Sequence, residues 1–194
     1  MEHTAILENG RVVTVRSLRP EDINLSFSFF KALPPEDRKY LRRDVTRYSV
    51  VRRRIELMEQ DRMQLLIALA GGEIVADGAL ELANHGWGDN IAEIRLIVAR
   101  PWQRIGLGTL MAKELFMLAA ERRVDRIVVR MMRPQKGARE IFRKLGFQDE
   151  FILPKHVRDQ SGEWQDMVIM RCNLEDLWEE MEGLTSDQDW VLHR

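Results

Sequence analysis

Apolar positions along the chain change period repeatedly, and each change marks an element. At residues 93–98, Ile94, Leu96 and Val98 point to one side of an extended segment, with Glu93, Arg95 and Ile97 on the other. Pro101 breaks that strand. Beyond a glycine-bearing turn the period lengthens: Leu107, Leu110, Met111, Leu115 and Leu118 recur at helical spacing, the apolar stripe of an amphipathic helix. Upstream, residues 4–7 and 11–18 flank Asn9-Gly10, a favoured hairpin dipeptide because both residues accept positive φ. Pro20, Glu21 and Asp22 start a helix whose buried stripe is Ile23, Phe27 and Phe30. Pro34-Pro35 ends it and opens a short second helix running to Leu41. Ser49 caps a third, with Val51, Ile55 and Met58 on one side.

Further on, apolar runs at 63–70 and 74–82 join at Gly71-Gly72 as a second hairpin. A loop over 83–90 carries His85 and Trp87 and leads into the strand that holds Glu93. Residues 125–132 make another strand around Ile127-Val128-Val129. Ala138, Ile141, Phe142 and Leu145 give the next helix its stripe, and Gly146 stops it. Residues 147–153 and 163–171 form a last strand pair around a turn at 159–162. Asn173 caps a final helix, Leu174 to Glu182, ahead of a polar tail ending at Arg194.

A strand feeding a glycine turn and then a helix N-terminus suits an anion. The first N–H groups of a helix have no internal partner, and the macrodipole adds partial positive charge there. Gly106 and Gly108 remove Cβ atoms that would hold a diphosphate away from those donors. Two familiar phosphate loops do not fit. A Walker loop needs lysine before its Ser or Thr, and Gly108-Thr109 has none. A dinucleotide fingerprint needs three glycines, and this turn has two.

Composition narrows the rest. The 194 residues suit one domain able to bury about two-thirds of its unfolded surface. A formal charge of −1 argues against bulk attraction to nucleic acid or anionic membrane. Cys172 is alone, so no internal disulfide forms and a reducing cytoplasm is the expected home. The N-terminus lacks a basic region followed by a long apolar run, and no stretch approaches a membrane span. Arginines crowd residues 38–54, but interspersed acids favour a solvated face over a nucleic-acid patch. The four histidines are isolated, so with one cysteine no zinc spacing exists, and no metal is expected. No G-x-S-x-G elbow is present.

The strand, turn and helix at 93–118 resemble the pyrophosphate arm of the GNAT superfamily of N-acetyltransferases. Its motif, Gln/Arg-x-x-Gly-x-Gly/Ala, is matched by Gln103, Gly106 and Gly108. The element order resembles the family too, over roughly residues 11–171 by element count. That resemblance implies a mixed α/β (α+β) fold, a central, mostly antiparallel sheet splayed at the acetyl-CoA site and flanked by helices. The stretch AEIRLIVARPWQRIGLGTLM is most similar to the catalytic domain of bacterial Pat-type protein lysine acetyltransferases, and LRPED before a Phe-rich helix fits that group.

The resemblance implies an acetyl-CoA-dependent N-acetyltransferase acting on a primary amine, with a protein lysine as leading acceptor, by direct attack. Only a small fraction of a lysine amine, with pKa near 10.4, is nucleophilic at neutral pH, so a carboxylate base is needed. Glu93 is the candidate, placed as Pat-type enzymes place theirs, in an Ala-Glu pair. A strand glutamate merely paired with Arg95 or Arg130 is the competing reading. Acetyl-CoA, the cosubstrate, is expected along Leu96, Ile97 and Val98, with the thioester carbonyl on the Val98 N–H. The diphosphate is expected over Gln103, Arg104, Ile105, Gly106, Leu107, Gly108 and Thr109, and Gln135 and Phe142 complete the set. Those last two depart from the family pattern: Gln135 stands for Asn, and Phe142 for the Tyr that often protonates the thiolate. The expected partners are acetyl-CoA and the amine, with neither nucleic acid nor membrane, and a homodimer left open. Residues 1–172 are expected to form the acetyltransferase domain and 173–194 a C-terminal helix and tail. Three rival functions remain: a non-catalytic acyl-CoA-binding module, motivated by the missing Tyr, an acetyltransferase of small amines, and a nucleic-acid-binding protein resting on the Arg38–Arg54 cluster, which predicts steeply salt-dependent binding.

Overall fold

The computed structural model describes residues 2–83 and 90–174. The loop carrying His85 and Trp87, and the final helix and tail beyond Leu174, lie outside the described residues. Eight strands form one sheet in the order β1-β2-β3-β4-β5-β6-β8-β7. They are β1 (Glu2–Ile6), β2 (Val12–Ser17), β3 (Met63–Ala70), β4 (Glu73–Leu82), β5 (Ile91–Val98), β6 (Arg126–Met132), β7 (Gln148–Arg158) and β8 (Trp164–Asn173). Every neighbouring pair is antiparallel except β5 and β6. The parallel pair needs a crossover, supplied by helix α4 (Leu107–Glu121). The remaining helices are α1 (Ile23–Ala32), α2 (Pro35–Arg38), α3 (Tyr48–Glu59) and α5 (Lys136–Lys144).

Alternation along β5 divides the core into two. Ala92 and Ile94 sit with Leu80, Ile127 and Val129 under Met111, Leu115 and Phe116 of α4. Ile97 faces the other layer, where Leu65, Ile67 and Ala79 pack against Phe29, Phe30, Val51 and Ile55 of α1 and α3. The buried side of α1 is Ser26, Phe29 and Phe30, and of α4 Ala112, Phe116 and Ala119 besides Leu107, Met111 and Leu115. Both stripes are wider than the leucines and phenylalanines alone indicate, because alanine and serine let a helix approach the sheet closely.

Three boundaries depart from expectation. Ser49 lies inside the first turn of α3, and Arg47 holds the N-cap position. In the first hairpin Gly10 has φ +80° and Asn9 has no positive φ; its Oδ1 instead accepts from Arg11 N–H at 3.1 Å. Strand β7 continues through Pro154, where the sequence suggests a stop. Among the described residues it pairs only with β8, at the sheet edge, with a register shift between Leu153 and Val157. An edge strand tolerates a missing N–H, which a central strand does not.

Candidate active site

Strands β5 and β6 pair only over Ile91–Ile94 and Arg126–Val129, then part. β5 stays on β4 as far as Val98, and β6 stays on β8 as far as Met132. Ala83 N–H donates to Ile91 O at 3.0 Å, and Ala99 N–H to Val75 O at 2.9 Å. In an antiparallel ladder this phase turns the main-chain groups of Glu93, Arg95 and Ile97 toward β4. Those of Leu96 and Val98 therefore point the other way, into the gap that β6 leaves. A cleft of about 640 Å³ fills that gap and passes between the two faces of the sheet. Leu96, Met131, Ala138 and Phe142 line one side, Ile97, Arg95 and Arg130 the other.

The glycine turn follows the C-terminal end of β5. A short 3-10 turn at Arg100–Trp102 leads to Gln103, whose side-chain amide donates back to Val98 O at 2.8 Å. Arg104 and Gly106 both have left-handed backbones, φ +60° and +85°. Successive amides in such a turn converge into an anion-binding concavity. The helical ladder opens with Leu110 N–H donating to Gly106 O at 2.9 Å, which leaves Leu107, Gly108 and Thr109 N–H without a helical acceptor. The first hairpin braces the turn from outside: Arg11 donates to Pro101 O at 2.9 Å and lies over the Trp102 ring at 4.9 Å. Gly108 answers to a second constraint, because a Cβ there would stand 2.8 Å from Ile141 Cδ1 on α5.

On the opposite side of the cleft Glu81 lines the wall, with Glu93 behind it. Glu93, buried, and Glu81 are direct cross-strand partners on β5 and β4. Like charges so placed repel, and arginines offset them. Arg42, from the segment between α2 and α3, donates to Glu93 Oε1, and Arg130 of β6 donates to Oε2 at 2.6 Å. Arg42 Nη1 also lies 3.9 Å from Glu81 Oε2, and Arg95 pairs with Glu81. Deeper in the same wall, Arg54 holds Asp77 bidentately at 2.5 and 3.2 Å. Burial pulls the Arg95 guanidinium down to about 9, with repulsion from Arg42, Arg54, Arg43 and Arg130 adding to it. Of the arginines in the crowded segment, Arg54 thus turns inward, and Arg42, itself exposed, reaches the buried carboxylate of Glu93.

Leu96, Ile97, Gln135 and Phe142 all line the cleft. Gln135 Oε1 accepts from Met132 N–H at 2.8 Å, tying the start of α5 to the end of β6. Phe142 is buried edge-on against Phe147, ring centroids 5.0 Å apart. Val98 and the residues from Gln103 to Thr109 come together at the end of β5, and Glu93 lies behind the cleft wall with both oxygens engaged. Of the two arginines the sequence offers as partners for Glu93, Arg130 pairs with it and Arg95 pairs with Glu81 instead, while Arg42 and Glu81 are passed over. Asp77 and Glu81, four apart in a strand otherwise apolar after Glu73, are a legible signal for β4. Nothing local marks Arg42.

The fit to acetyl-CoA rests on these groups: amides of Leu96 and Val98 turned into the cleft, then a turn whose N–H groups converge. Among solved structures, the RimJ of Mycobacterium smegmatis in complex with CoA-disulfide superposes with a TM-score of 0.73 at 19% identity, covering 98% of this chain and 96% of that one. The GNAT domain of S. lividans PAT gives 0.70 at 17%, covering 89% and 96%. An acetyltransferase of the GNAT family from Streptococcus pneumoniae gives 0.72 at 18%, covering 83% and 99%. At such identities these likenesses speak for the fold. No curated protein sequence matches the chain. The model of the family described as Acetyltransferase (GNAT) family matches residues 27–147, from α1 through the turn to the end of α5. The chain belongs to the GNAT family of acetyltransferases, which use acetyl-CoA.

Proposed function

We propose that this protein moves an acetyl group from acetyl-CoA to a protein lysine by direct attack, as a Pat-type enzyme, in the cytoplasm. The observation that carries the reading is the parting of β5 and β6 beyond Ile94 and Val129, next to the turn that starts α4. Acetyl-CoA supplies the thioester. The Val98 N–H is the donor for its carbonyl oxygen, and a backbone donor fixed in a sheet reorganises little. Leu96 and Phe142 wall the pantetheine arm. The amides from Arg104 to Thr109 take the diphosphate, with Gln103 bracing the turn through Val98 O rather than reaching the phosphates. The acceptor nitrogen forms its bond to carbon as the carbon–sulfur bond breaks. Glu93 takes the amine's proton, directly or through water, after one arginine yields a carboxylate oxygen. The thiolate leaves with a proton from solvent.

Gly106→Val tests the turn. A β-branched residue at φ +85° costs about 1–3 kcal/mol of strain, within the stability of a domain of this size. Its Cβ would also stand 3.1 Å from Glu8 Oε1. The variant should stay folded and lose affinity for acetyl-CoA by about tenfold or more. Equal affinity in calorimetric titration of the two proteins would remove the turn from the binding site.

Phe142→Tyr tests whether a side-chain acid is missing. A thiol's pKa near 8.5 makes the thiolate a good leaving group, so prior protonation contributes little. Turnover should change by less than about tenfold. A rise of about a hundredfold, measured as CoA release, would favour a non-catalytic acyl-CoA-binding role for the natural protein.

A further inference from the structure

The acceptor side of the cleft carries more positive charge than its carboxylates offset. Arg42, Arg95 and Arg130 pair there with Glu81 and Glu93, and Arg43 lines the same wall, four cations beside two anions. Arg43 is exposed and has no carboxylate partner among the described residues. The surplus is local, since the whole chain has a formal charge of −1. It is also held in place. Gln160, in the β7–β8 turn, donates its N–H to Lys39 O at 3.1 Å and its side-chain amide to Leu41 O and Arg43 O at 3.1 and 2.8 Å. The segment bearing Arg42 and Arg43 is thereby fixed before any ligand arrives. Nor do these arginines belong to the diphosphate turn, which opens α4 on the other face of the sheet.

We propose that the acceptor is an acidic polypeptide segment, a lysine flanked by aspartate or glutamate, whose carboxylates the cleft arginines bind while Glu93 and Glu81 receive the amine. The inference rests on the reading of this cleft as the acceptor channel. Guanidinium groups match carboxylates in bidentate geometry, and hydrogen bonds between ionised partners are about twice as strong as neutral ones. Overall negative charge would repel such a peptide at long range, so a measured preference for it would come from the cleft.

The test uses the full chain saturated with CoA and three peptides of one length, each with a single lysine flanked by Glu, Ala or Arg. Calorimetry should show the Glu-flanked peptide binding about tenfold or more tighter than the Ala-flanked one, and the Arg-flanked peptide weakest. The gap should close as salt rises, as screening requires of exposed charges. Arg43→Glu, which leaves three cations against three anions, should abolish the preference for the Glu-flanked peptide with thermal unfolding unchanged. Equal affinities, a salt-independent order, or tightest binding of the Arg-flanked peptide would overturn the proposal. CoA release from acetyl-CoA, run in parallel, tests the underlying reading separately. Glu-flanked binding with no turnover of any amine sustains the charge preference and overturns lysine transfer. Faster turnover of free glutamate or aspartate than of any peptide overturns the polypeptide acceptor in favour of a small acidic amine.

Discussion

Replacing Glu93 by glutamine is expected to lower turnover by about 100-fold or more while acetyl-CoA binding persists. The substitution keeps the shape of the side chain and removes the proton acceptor. Glu93 lies on the sheet face away from the diphosphate turn, so the cofactor contacts proposed for Leu96, Val98 and the turn remain. The geometry adds a second expectation. Glu93 bridges Arg42 and Arg130, and neutralising it leaves two guanidinium groups facing each other. Arg42→Ala, which frees one carboxylate oxygen, should therefore act on the rate differently from Glu93→Gln. Steady-state CoA release across pH, paired with calorimetry of acetyl-CoA, separates the effects. A Glu93→Gln rate equal to the natural one at every pH would leave Glu93 as a strut for its arginines.

The largest expected stability loss is at Arg16. Its guanidinium donates to both Asp22 oxygens, at 2.6 and 2.8 Å, and both residues are buried. Asp22 also accepts from Arg19 N–H at 2.8 Å, so the pair fastens the start of α1 to β2. Removing one partner of a buried pair strands the other charge, at a cost of about 3–5 kcal/mol. For a chain of this size that is a fall in Tm of roughly 6–20 °C for Arg16→Met. The Arg16 hydrogen bond holds the Asp22 carboxyl below its ordinary value, against the opposing effect of burial. Its contribution is therefore present above the unfolded carboxylate pKa and is lost as pH falls through the lower folded value. The gap between the natural protein and the variant should narrow in acid. Scanning calorimetry at several pH values reads it, and a gap unchanged from neutral to acid pH would assign the stabilisation to packing. Arg16→Met with Asp22→Leu, which removes both charges, should recover much of the loss.

Much of this molecule is legible in periodicity. The alternation Ile94, Leu96, Val98 against Glu93, Arg95, Ile97 is the division between the two core layers, because the two-residue repeat of a strand is independent of its surroundings. Glycine placement carries similar weight: Gly146 has φ +79° at the end of α5, and Gly71-Gly72 turn the β3–β4 hairpin with φ +58° and +83°. Pro154 misleads for a physical reason. Its missing N–H excludes it from a central strand, but position in the sheet is a tertiary property, and β7 is at the edge.

The site divides in the same way. The Gln103–Thr109 turn can be read from the chain because its strand, glycines and helix are contiguous, and a helix N-terminus binds anions through local backbone geometry. The bracing of that turn by Arg11 spans 90 residues and cannot be read locally. Nor can Arg42 be placed on Glu93, 51 residues away, since in sequence it is one arginine among many beside interspersed acids. What the sequence determined by itself was the strand–turn–helix, the phase of each strand and the family. Only the tertiary structure decided that β5 and β6 part after Ile94. It alone brought four arginines and two glutamates to the far side of that gap, because such contacts depend on sheet order and loop paths that no local repeat encodes.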